Sequence, residues 1–169
     1  MFSTISTIFT TFAYGVAGYA LNPAFFDAVV NKSDVSVLTQ TLPIMIGVFG
    51  INVIHELSHY LAAKATKTEI GLPVPLPSLQ IGSFGAITPF RSFPKNRDAM
   101  FDVAMSGPIA SFVASVSLVI VGILLTIQSS ADQIATLATV PAALMKTSLL
   151  VGSLTSVLAP KIMMMPLSQ

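Results

Sequence analysis

The chain has 169 residues, 53% of them hydrophobic and 9% charged, and its mean hydropathy is +0.82; soluble domains carry about 25% charged residues, so a soluble enzyme is excluded and an integral membrane protein is expected. A net charge of +1 excludes the basic footprint of a nucleic-acid-binding protein. The absence of cysteine rules out disulfides and thiolate metal sites, which confines any zinc to His and carboxylate ligands.

Four apolar segments follow in chain order, at about 3–21, 38–63, 103–128 and 141–158. The first is rich in Ser and Thr, has no basic flank and no small-residue cleavage site, and reads as a retained span rather than a signal peptide. The second holds the densest chemistry. Val35 to Ile54 contains no charged residue, and His55-Glu56-Leu57-Ser58-His59 follows directly. On a helix, residues four apart share a face, so His55 and His59 can reach one metal ion while Glu56, one position along, can address water beside it. That pattern points to Zn²⁺ held by neutral imidazoles, with Glu56 as general base in hydrolysis of a peptide bond. A simpler alternative also exists, because a His on a membrane helix can hydrogen-bond a neighbouring helix without metal.

After this helix, Gly71-Leu72-Pro73-Val74-Pro75-Leu76-Pro77 cannot be helical, since its prolines remove donors and favour an extended backbone. Leu79 to Thr88 then reads as a short strand pair or a loop, with Gly82 and Gly85 where another backbone can approach. It is either a connector or a sheet edge that holds an unwound substrate segment by strand addition. The third segment is the most apolar, with no charge from Val103 to Ala131; Ser106-Gly107-Pro108 near its start reads as close helix packing, and Asp98 and Asp102 as favourable charges at a helix N-terminus. The fourth carries Lys146 and many small polar residues, and so can span, lie in the interface or pack on the others.

Five of the eight basic residues lie between Lys64 and Asp102. The positive-inside rule puts that connection on the cytoplasmic side or its organellar equivalent, a side that also suits Lys161. His55 and His59 precede Lys64 by nine and five residues, which places a metal roughly 7–14 Å below the surface. The expected fold is a single all-α membrane domain over 1–169: a polytopic bundle of about three to four transmembrane helices, with a short β or extended segment at 71–90 between the HExxH helix and the next span.

Three motifs, INVIHELSHYLAAK at Ile51 to Lys64, PVPLPSLQIGSFGAITPF at Pro73 to Phe90 and DVAMSGPIAS at Asp102 to Ser111, together resemble the site-2 protease family of intramembrane zinc metalloproteases, and above all its plastid and cyanobacterial branch. The resemblance implies His55 and His59 as zinc ligands, Glu56 as catalytic base, and Gly82, Ser83, Phe84, Gly85, Ala86, Ile87 and Thr88 as the segment that engages substrate. It implies membrane-anchored protein substrates and the lipid bilayer as partners, no nucleic acid, and a multi-pass protein of a plastid (thylakoid or envelope) or cyanobacterial membrane. Family members take a third ligand from an Asp-Gly motif on a later span. Here Asp27, Asp34, Glu69, Asp98, Asp102 and Asp132 lie outside the apolar spans and none precedes a Gly, so the expectation is an N-terminal piece of a longer protein whose third ligand lies beyond Gln169. The alternatives are a catalytically incomplete scaffold of the same fold, and a small transporter lined by Glu56 and the two His.

Overall fold

The structure is a computed structural model that describes residues 2–138, 140 and 142–160. The chain forms two compact units, Met1–Val16 with Thr41–Ser115, and Ala17–Gln40 with Val116–Gln169. The elements in order are α1 (Phe2–Tyr19), α2 (Pro23–Val30), a 3₁₀ turn (Val35–Thr41), α3 (Leu42–Thr66), β1 (Val74–Ser78), β2 (Gly82–Ile87), α4 (Arg97–Gln128), α5 (Ala131–Ala135), α6 (Ala142–Thr147) and α7 (Leu149–Leu158).

Among the described residues, two helical stretches are long and apolar enough to cross a membrane, Val35–Thr66 and Arg97–Gln128. They contain the second and third expected spans. At about 1.5 Å per residue, the 25 residues of α3 and the 32 of α4 exceed the roughly 30 Å of bilayer hydrocarbon. Their surfaces fit that solvent: Ile46, Ile109, Phe112, Val113, Leu118 and Leu125 are all exposed, as expected of side chains whose surroundings are lipid. The first expected span falls on the 18-residue α1, which is not one of those two helical stretches. The fourth is divided, because Ser148 takes a non-helical conformation and caps α7 through Val151 N, so α6 and α7 are separate short helices. Pro141, at its expected start, and Lys161 lie outside the described residues.

The first unit is built around a hairpin. β1 pairs antiparallel with β2, matching Val74 with Ile87 and Ser78 with Gly82. This corrects the expected pairing within 79–88: the partner of the glycine-rich strand is the proline run itself. Proline is tolerated there because a two-stranded sheet leaves each strand one free edge, which needs no donor. The register slips where Leu76 faces both Phe84 and Gly85, a bulge in β2 at which Gly85 takes φ +93°. Ser83 Oγ repairs the broken ladder, donating to Leu76 O at 3.3 Å and accepting from Gly85 N at 3.0 Å. Below the hairpin, Gly71 N donates to Pro89 O and Arg91 N to Glu69 O, which extends the antiparallel path.

The hydroxyls of α1 explain why so apolar a helix is rich in Thr. Thr7, Thr10 and Thr11 are buried, and Thr10 Oγ1 donates to Gly82 O at 2.6 Å while Thr7 and Thr11 also bond carbonyls one turn back in their own helix. Ser3 Oγ donates to Pro75 O. A hydroxyl satisfied in this way is a tolerable group in a low-dielectric contact. In the second unit, buried Asn22 caps α2 through Ala24 N and Phe25 N and donates to Leu137 O at 2.8 Å, and the Tyr19 and Phe25 rings meet tilted, with centroids 5.1 Å apart.

Candidate active site

The sequence of α3 sorts its functional side chains onto two adjoining faces. Phe49, Asn52, Val53, Glu56, Leu57 and Tyr60 recur at helical spacing and line an open cavity of about 560 Å³, bounded also by the hairpin, the 70–73 loop and the N-terminal half of α1. His55 and His59, about 100° further around the helix, are turned toward α4. Among the described residues, charge enters the cavity lining only at Glu56 and Arg91.

Both imidazoles are held by their Nδ1 atoms. His59 Nδ1 lies 2.6 Å from Val103 O; a carbonyl only accepts, so Nδ1 carries the proton and Nε2 has the lone pair. His55 Nδ1 lies 3.1 Å from Ser111 Oγ, whose own proton goes to Pro108 O at 3.1 Å. Ser111 therefore accepts, and His55 is protonated on Nδ1 as well. The two Nε2 atoms stand 3.0 Å apart, with lone pairs and no proton between them in the neutral rings. That arrangement is repulsive by itself and favourable around a cation, and two neutral imidazole nitrogens are a donor set that zinc would take. Carbonyl and hydroxyl partners on the far ring nitrogen are what a metal-binding His ordinarily has. Ligand atoms of His55, Glu56 and His59 all lie within 4.8 Å of one another, so these three could hold a metal ion, and no other such cluster occurs among the described residues.

The fit depends on α4. Val103, Gly107 and Ser111 stand four apart on one face, and a Cβ built on Gly107 would lie 2.4 Å from His59 Nε2 and 2.7 Å from Cδ2 and Cε1. Only glycine leaves room for the ring. Pro108 has no N–H for Ala104 O, and Ser106 Oγ donates to Val103 O at 2.9 Å beside the His59 bond. The small-residue start of this segment thus does more than the packing expected of it.

Glu56 is fixed from the opposite side, where Thr88 Oγ1 donates to its Oε2 at 2.5 Å. The expected substrate segment divides accordingly. Ser83, Gly85, Ala86 and Thr88 line the cavity. The carbonyl of Gly82 is taken by α1, while Phe84 and Ile87 point to the outside, 66% and 59% exposed. Sequence reasoning missed the Thr88 bond, the Val103 and Ser111 anchors and the role of Asn52 in the cavity; the 103, 107, 111 spacing was the available signal for the anchors.

The profile of Peptidase family M50 matches residues 43–168, from the start of α3 onward, and so takes in His55, Glu56, His59, the hairpin and the Gly107 region of α4. The chain belongs to Peptidase family M50. This M50 chain is 40% identical over 111 residues to the "Probable zinc metalloprotease EGY1, chloroplastic" of Arabidopsis thaliana, a match covering 66% of the chain and 20% of that protein. It is 40% identical over 113 residues to the protein of the same description from Oryza sativa subsp. japonica, covering 67% and 19%. It is 42% identical over 72 residues to the "Probable zinc metalloprotease EGY2, chloroplastic" of Oryza sativa subsp. indica, covering 43% and 13%. The M50 chain thus spans about a fifth or less of the length of these relatives. They bear out the resemblance to the plastid branch of the site-2 proteases. No solved structure matches it significantly.

Proposed function

We propose that this M50 chain carries the zinc-binding and proton-transfer half of an intramembrane endopeptidase that hydrolyses peptide bonds of membrane-anchored proteins. The observation that carries the reading is the pair of Nε2 atoms 3.0 Å apart, with both Nδ1 atoms anchored and Glu56 beside them. His55 and His59 would hold Zn²⁺. When bound, the ion supplies Lewis acidity and brings the pKa of water toward about 7. Glu56 accepts a proton from the water that attacks the substrate carbonyl carbon and returns it to the leaving nitrogen as the C–N bond breaks. Thr88 occupies Oε2, which leaves Oε1 as the oxygen for that transfer. A four-coordinate catalytic site takes a third protein ligand, and no second carboxylate joins the cluster among the described residues.

The fold reading that goes with this activity is one membrane domain over 1–169, in which α1 and the α6–α7 region join the two long helices to make about three to four spans. Gly82 to Thr88 engages an unwound substrate stretch. The chloroplastic relatives and the two long apolar helices support a plastid membrane protein, which this reading makes multi-pass.

The test is cleavage of a membrane-anchored reporter by the reconstituted protein, alongside its zinc content. His55→Ala and His59→Ala lose both zinc and cleavage, Glu56→Gln loses cleavage while keeping zinc, and a chelator abolishes activity. Undiminished cleavage by Glu56→Gln, or indifference to chelator, would overturn the reading.

A further inference from the structure

Asn52 is the polar side chain of the α3 cavity face that the proposed reaction leaves unused. It lies in the uncharged stretch before the motif, four residues ahead of Glu56 and on the same face, and both line the cavity. Its Nδ2 donates to Val48 O at 3.1 Å, one turn back in its own helix. A carbonyl only accepts, so this bond settles which way the amide is turned, and Oδ1 points away from the helix backbone. Among the described residues no donor reaches Oδ1. It is not a sealed atom either, since no buried side-chain oxygen or nitrogen lacks a partner. Asn52 Oδ1 is therefore an open acceptor in a predominantly apolar cavity, where an unpaired polar group is costly.

An acyl chain has no donor to offer it. A transmembrane peptide unwound for cutting does, because each residue released from its helix exposes a main-chain N–H. The cavity volume falls within the range of about 300–1,000 Å³ that suits a ligand of several residues, and Phe49, Val53 and Leu57 fit it to apolar side chains. We propose that Asn52 binds a main-chain N–H of the unwound substrate segment in this cavity. Four residues of helix rise about 6 Å, and an extended chain advances about 3.3 Å per residue, so the bonded N–H lies about two residues from the carbonyl that Glu56 serves. This inference rests on the endopeptidase reading and names how its substrate is gripped.

The experiment measures binding of a fluorescent, proline-containing Leu/Ala octapeptide to the full chain in lipid nanodiscs, with chelator present so that no turnover intervenes. A series of peptides replaces one main-chain amide at a time by an ester, which removes that N–H alone. One ester position is expected to weaken binding to the wild type by about 3- to 10-fold, the usual worth of one neutral hydrogen bond. Asn52→Leu weakens the all-amide peptide by the same factor and is indifferent to that ester. Should the leucine variant fail to fold, Asn52→Ala gives the same comparison. Equal penalties for all esters, or an ester penalty that persists in the Asn52 variants, would overturn the proposal, as would displacement of amide and ester peptides alike by a single-chain phospholipid with no ester discrimination. Cleavage of the all-amide peptide with zinc restored reads the endopeptidase proposal separately: a position-specific ester effect without cleavage sinks that reading and leaves the Asn52 contact standing.

Discussion

Gly107 stands so close to His59 that a Cβ on it would lie 2.4 Å from the imidazole Nε2. The ring and the helix backbone therefore share a space that no other residue type leaves open. Gly107→Ala is expected to push His59 off its Val103 bond and lower zinc affinity by at least about 10-fold, the lower end of the effect of losing an outer partner of a metal ligand. Gly122→Ala is the matched control on the same helix, because nothing lies within 4 Å of its added Cβ; it should leave zinc binding unchanged. Competition with a calibrated chelator reads both.

Thr88 clamps one oxygen of Glu56, and a hydrogen bond to a charged group is worth about 1.5–3 kcal/mol. Thr88→Val should therefore lower kcat by about 10- to 100-fold while leaving zinc content unchanged, and Thr88→Ser should restore most of it. A variant that changes KM alone would assign Thr88 to substrate contact instead.

Gly85 has φ +93° with no atom near its would-be Cβ, so a side chain there meets backbone strain and no clash. Gly85→Ala is expected to destabilise the hairpin by about 1–2 kcal/mol, seen as faster amide exchange at residues 74–87 with α3 unaffected. Unchanged exchange would mean that the bulge relaxes at no cost.

Asp27 is half exposed, and its carboxyl is held below the usual carboxylate range first by the Asn31 hydrogen bond and then by Lys32, 2.8 Å away. A depressed folded-state pKa stabilises above the unfolded value, near about 3.9, and that contribution is lost as pH falls through the folded one. Asn31→Ala should raise the Asp27 titration midpoint seen by NMR, and added salt should raise it further by screening Lys32. No rise in Asn31→Ala would assign the shift to Lys32.

The site was legible where its logic is local. His55, Glu56 and His59 lie within five consecutive residues, so the pitch of a helix alone sets their faces, and the absence of charge from Val35 to Ile54 marks the helix as a span. The extended path of the proline run is equally local, since proline fixes its own φ. The pairing of that run with β2 is not, because the alternatives within 79–88 differ only in which segment returns to which.

Chain sequence by itself thus determined a membrane protein, an HExxH helix and a non-helical connector, since composition and helical period act over a few residues. Tertiary structure decided which groups hold these side chains. Thr88 meets Glu56 across 32 residues, and Val103 meets His59 across 44. Such partners depend on where the hairpin and α4 return against α3, a placement set by the packing of Gly107 on the ring and of α1 hydroxyls on Gly82.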